Sequence, residues 1–107
     1  MTFKKDNGYN GGKEKKPRYS LLNPYALDAV ARVLTYGGDK YGDNNWHRCE
    51  DSKIYIDAMM RHINSHNAGE YIDPETGQPH MAHVCCSAMF VMGIWDINRE
   101  MVKLELK

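Results

Sequence analysis

The sequence predicts an all-α fold, a bundle of three to four helices completed by oligomerisation, and three observations carry that prediction. Leu27, Val30, Ala31 and Leu34 follow one another at i, i+3, i+4 and i+7, the spacing of one helical stripe. Tyr55, Ala58, Met59, His62, Ile63 and His66 repeat the pattern later in the chain. A third segment, from Val84 to Trp95, is apolar over so wide a face that a chain this small cannot cover it alone.

Each element has a start and a stop. Asn23-Pro24 opens the first helix, because Asn caps free amides and Pro is pre-organised for the first turn. The glycine pair Gly37-Gly38 is expected to end it. The stretch from Asp39 to Asp51, with Tyr41 and Trp46, reads as an ordered loop. Asp51 or Ser52 caps a second helix that stops at Ala68-Gly69, and Asp73-Pro74 with Thr76-Gly77 makes a turn. Pro79 begins a third helix whose apolar face is expected to use Val84, Cys85, Ala88, Met89, Met92 and Trp95. Beyond Asp96 the pattern fits either a strand or a helix, and a short fourth helix is expected.

At 107 residues, 14 of them basic and 14 acidic, the chain has no formal net charge. A general nucleic-acid binder, whose affinity rests on neutralising phosphates, is therefore not expected. The charge is unevenly placed: residues 1–18 carry +4 and the remainder −4. That stretch is rich in Gly, Asn and Lys and reads as a flexible basic tail, followed by one all-α domain over 19–107. Cys49, Cys85 and Cys86 are an odd set with an adjacent pair that can hardly bridge, which points to a reducing compartment, the cytoplasm. The longest apolar run looks too short and too interrupted for a bilayer, and no signal peptide is seen, so no membrane partner is expected.

The chemistry is concentrated between Arg61 and His83. Arg61-His62, Glu70-x-x-Asp73 and His80-x-x-His83 fall within one helical hairpin. Carboxylate oxygens and imidazole nitrogens hold divalent cations, and residues three or four apart share a helix face, so His62, Glu70, Asp73, His80 and His83 are candidate metal ligands. A cation beside basic groups commonly handles phosphates. Lys16, Arg18, Lys40 and Arg61 are the available basic groups, while Tyr41 and Trp46, flanking Asn44 and Asn45, offer aromatic planes and amides to a nucleobase. Taken singly, each of these is as readily a surface cation, a packed aromatic or a core histidine.

An ordered series of motifs narrows this further. Lys16-Pro17-Arg18, Leu21-Leu22, Val30-Ala31-Arg32-Val33-Leu34, Tyr36-Gly37, Lys40-Tyr41-Gly42, Asn45-Trp46, Arg61-His62, Gly69-Glu70, Asp73, Gly77 and His80-x-x-His83 together resemble the phage dATP/dGTP diphosphohydrolase family. That family is similar in turn to the MazG-like all-α nucleoside triphosphate pyrophosphohydrolases. The resemblance implies an obligate oligomer, a homodimer or homotetramer, using Mg²⁺ or Mn²⁺. It also implies hydrolysis of a purine deoxynucleoside triphosphate to monophosphate and pyrophosphate. Glu70 or Asp73 would then order the cations, one of them acting as general base, with Arg61, Lys40, Lys16 and Arg18 on the phosphates and the Tyr41, Asn45, Trp46 loop on the base. The MazG-like pattern is met only in part, since Glu-x-x-Glu is missing and His80 and His83 stand on the helix where Glu-x-x-Asp would fall. Three other readings stay open: a zinc hydrolase using His80, His83 and a carboxylate, a module that sequesters a nucleotide without turnover, and a structural role in which the histidines only pack helices.

Overall fold

A computed structural model describes residues 16–105, with side chains from Lys16 to Arg99. Most of the basic tail, and the expectation of its flexibility, lies outside the described residues. A short 3-10 turn, Tyr19–Leu21, leads into α1, Pro24–Tyr41. Next come a second 3-10 turn, Asn45–Arg48, then α2, Lys53–Asn67, and α3, His80–Glu105. No strand occurs among the described residues, so the fold is all-α, with three helices.

The start of α1 is as the sequence predicts: the Asn23 side chain accepts from the amides of Tyr25 (2.9 Å) and Ala26 (3.3 Å). Its end is not. The helix runs through Gly37-Gly38 to Tyr41 and stops where Gly42 adopts φ 96°. A helical glycine costs only about 1 kcal/mol, and residues beyond the pair anchor the last turn through contacts described below. Gly38 also leaves room for Asp43, whose carboxylate folds back to where a Cβ on Gly38 would sit.

The fourth helix is corrected too. α3 continues without a break through Asp96, because no Gly or Pro interrupts it there. Arg99 bonds Asp96 one turn back at 2.6 Å and lies 4.7 Å from the Trp95 ring. Uninterrupted, the 20-residue segment His80–Arg99 is by length and composition apolar enough to cross a membrane, contrary to the sequence expectation. In this fold it is the helix on which both α1 and α2 pack.

The face of α3 used for packing also differs from the one expected. Ala82, Cys86, Ser87 and Ile94 are buried, and Val33 of α1 joins Ala82 and Cys86 in the core with Ala29, Val30 and Phe90 around them. Small side chains at Ala82 and Cys86 let the helices approach closely, and burial pushes the Cys86 thiol up to about 12. Cys85, Met89, Met92 and Trp95 are left exposed. A helix apolar on nearly every side gives periodicity no means of choosing between faces.

Because α1 and α2 both lean on α3 but hardly touch one another, a cleft remains between them. Its rims are fixed by the two connections. The first carries Trp46, whose indole stacks on His47 (3.9 Å between centroids) and on Phe90 of α3 (6.2 Å). The second is a tight turn in which the Asp73 amide donates to the Gln78 carbonyl (2.8 Å) and the Gly77 amide to the Asp73 carbonyl (2.8 Å).

Candidate active site

The cleft encloses a cavity of about 900 Å³, at the upper end of the range for small-molecule sites. Nine residues singled out for a site from the sequence line it: Lys40, Tyr41, Asn44, Asn45, Trp46, Arg61, His62, Asp73 and His83. Lys16 and Arg18 are exposed and are not part of its wall. Glu70 and His80 are not on the wall either.

The histidines and carboxylates form a chain of hydrogen bonds and one ring stack that runs from Glu70 and His80, off the wall, to His62, His83 and Asp73 on it. His80, 3% exposed, meets Glu70 Oε1 through Nε2 at 2.7 Å and His62 Nδ1 through Nδ1 at 2.7 Å. Such a nearly dry ring is held by having both nitrogens satisfied. The His62 ring stacks nearly parallel on His83, with centroids 4.3 Å apart. His83 Nε2 lies 3.2 Å from Asp73 Oδ2 and 2.8 Å from Thr76 Oγ1, and the Thr76 hydroxyl donates to Asp73 Oδ2 at 3.1 Å. Burial, reinforced by the neighbouring rings, holds His62 below its ordinary pKa. His83 is lowered as well, chiefly by burial, with Asp73 opposing. Both are therefore neutral at neutral pH.

Across the cleft, Glu75 Oε1 accepts from the Tyr36 hydroxyl at 2.6 Å and from Lys40 Nζ at 2.8 Å. This ties the last turn of α1 to the turn before α3. Sequence reasoning missed Tyr36, Glu75 and Thr76, all of which line the cavity. The signal was available: Tyr36 and Lys40 stand at i and i+4, but the expected stop at Gly37-Gly38 separated them. Of the two expected cations on the wall, Arg61 has no carboxylate partner among the described residues.

The expected metal ligands are arranged as partners of one another. Among the described residues no group of three or more His, Cys, Asp or Glu side chains is placed to hold an ion. His80 spends both ring nitrogens on Glu70 and His62, and the two carboxylates sit on different histidines. A dedicated zinc site, which needs about three converging protein ligands, does not fit this arrangement. Mg²⁺ asks less of the protein: it commonly keeps waters and is held by one or two carboxylates together with substrate phosphates. Asp73, on the wall, is such a carboxylate, and its Oδ1 has no hydrogen-bond partner among the described residues.

The model of the dATP/dGTP diphosphohydrolase N-terminal family matches residues 6–103. The chain belongs to that family. A dATP/dGTP diphosphohydrolase of Salmonella phage PMBT28 is 36% identical over 83 residues, which is 78% of this chain. The chain spans only about 28% of the length of that curated relative. No solved structure matches the chain. The match to the dATP/dGTP diphosphohydrolase N-terminal family takes in α1, α2, both connections and α3 as far as residue 103, and hence the whole cavity wall.

Proposed function

We propose that the cleft binds a purine deoxynucleoside triphosphate and hydrolyses it to the monophosphate and pyrophosphate. The observation that carries this reading is the make-up of one cavity wall: Lys40 and Arg61 as cations, an aromatic loop, and Asp73, whose Oδ1 has no hydrogen-bond partner among the described residues. The name of the phage relative supports the substrate class.

In this reading Mg²⁺ or Mn²⁺ would be held by the substrate phosphates and, through one of its waters, by Asp73, and would supply charge neutralisation on the phosphate oxygens. Arg61 and Lys40 hold the β- and γ-phosphates. Asp73 orients the attacking water through Oδ1 and takes its proton, while Thr76 and His83 fix the carboxylate through Oδ2. The water attacks the α-phosphorus, the α–β bridging oxygen leaves, and pyrophosphate departs. Glu70, outside the wall, is a positioning residue that acts through His80 and His62. Tyr41 and Asn45 face the base. Trp46 acts by holding their loop on α3, its ring contacts being His47 and Phe90. Lys16 and Arg18, exposed and off the wall, are the remaining cations for the phosphates. The exposed Met89, Met92 and Trp95 provide the surface for a homodimer or homotetramer in the cytoplasm of an infected host.

A second reading, nucleotide binding without turnover, is favoured by the way the histidines and carboxylates engage one another, with no group of three placed to hold an ion among the described residues. Incubating the protein with each nucleoside triphosphate and Mg²⁺ or Mn²⁺, then separating the products, distinguishes the two. Monophosphate with pyrophosphate supports hydrolysis; a bound, intact triphosphate supports sequestration.

A further inference from the structure

The Tyr36, Lys40, Glu75 cluster ties α1 to the turn before α3, and it does so on the wall of the cavity. All three side chains are exposed and face the same cavity, Tyr36 and Lys40 from α1 and Glu75 from a turn 35 or more residues further on. One carboxylate oxygen collects two donors, a phenol at 2.6 Å and an ammonium at 2.8 Å. Beyond them, Lys40 lies 5.8 and 5.2 Å from the rings of Tyr36 and Tyr41, which hold it over the cavity mouth. A pair of donors converging on one anionic oxygen is also what a phosphate oxygen requires.

We propose that Tyr36 and Lys40 form a polyphosphate subsite whose resting occupant is the Glu75 carboxylate, so that a polyphosphate binds by exchanging with Glu75. The proposal rests on reading the cavity as a polyphosphate site and adds to it a second donor, Tyr36, and an internal competitor. Both donors are engaged by that one carboxylate oxygen, and Lys40 and Tyr36 are each held above their ordinary range chiefly by the bond to Glu75. The donors are thus engaged by a negative charge before any ligand arrives. A ligand that must displace that charge binds with reduced apparent affinity, by the fraction of molecules in which the site is open. Glu75 sits on a turn with its side chain half exposed, so it can swing into water without disturbing the core.

The test is calorimetric titration of inorganic tripolyphosphate, which carries no base and needs no turnover, into metal-free wild-type protein and variants. Glu75→Gln and Glu75→Ala should each tighten binding by about tenfold, since both release an exposed ion pair and a hydrogen bond. Asp43→Asn removes an equal charge from the cavity wall without touching Lys40, and should tighten binding less than about threefold. Adding Lys40→Met to Glu75→Gln should remove the gain. Unchanged or weaker binding by both Glu75 variants would overturn the proposal and make Glu75 a support for Lys40. Equal gains from Asp43→Asn and Glu75→Gln would overturn it as well, by reducing the effect to net charge. Lack of turnover on any nucleotide, by contrast, would remove the hydrolytic reading and leave this measurement standing.

Discussion

His62 Nδ1 lies 2.7 Å from His80 Nδ1, so one proton is shared between two imidazoles that approach through the same kind of nitrogen. The direction of that bond follows from the far side of His80. Glu70 Oε1, 2.7 Å from His80 Nε2, can only accept as a carboxylate, so His80 donates there and, in the tautomer that carries its proton on Nε2, accepts at Nδ1. His62 then donates from Nδ1, and its Nε2 carries the lone pair. Stacked on His83 and lying on the cavity wall, His62 is held in one orientation by two partners on α3, His80 and His83.

This network should be costly to break from its centre. His80→Ala removes a buried ring and leaves Glu70 and His62 without their shared partner. We expect a loss of roughly 2–3 kcal/mol of stability in urea unfolding. A loss below about 0.5 kcal/mol would show that the chain of bonds adds nothing to the fold.

The same histidines set a pH dependence of stability. His62 and His83 are held below their ordinary value of 6.5 in the fold, so below that pH the unfolded chain takes up protons that the folded chain resists. Their contribution is complete above about 6.5 and disappears as pH falls through the folded values. The Tm of metal-free protein should therefore drop between pH 7 and 5, and drop less steeply in His62→Gln. Equal slopes would assign the effect to other groups.

Much of this arrangement was legible in the sequence, and what was missed has identifiable causes. Asn23-Pro24, Ala68-Gly69 and the Asp73 to Gly77 turn are local signals, and each falls where it was expected. Gly37-Gly38 misled because a helix anchored beyond the pair tolerates it, and that anchor, Glu75, is 35 or more residues away in sequence. The packing face of α3 was unreadable because both candidate faces are apolar, and only the small residues Ala82, Cys86 and Gly93 mark where neighbours come close. The cluster of His and carboxylates was found by its density; that Glu70 and His80 stand behind the wall while Asp73 stands on it depends on the turn's three-dimensional course.

Gly93 marks one such close approach. A Cβ there would lie 2.5 Å from two carbons of the Trp46 ring, so Gly93→Ala must push the indole from its seat. We expect a loss of about 1–3 kcal/mol and a shift in tryptophan fluorescence. An unshifted spectrum at wild-type stability would mean the loop is not seated on α3.

Asp73→Asn keeps the size of the side chain and removes its charge. If Asp73 orients and deprotonates the water, kcat should fall at least about 100-fold with helical content unchanged by circular dichroism. Glu70→Gln, acting only through His80, should cost less than Asp73→Asn. The reverse order would move the general base to Glu70.

The most direct test of the account is hydrolysis of dATP and dGTP in ¹⁸O-labelled water with Mg²⁺ or Mn²⁺, followed by mass spectrometry of the products. Attack on the α-phosphorus predicts a deoxynucleoside monophosphate carrying one ¹⁸O and pyrophosphate carrying none. Label in the pyrophosphate, release of orthophosphate with a deoxynucleoside diphosphate, or a triphosphate recovered intact would contradict it.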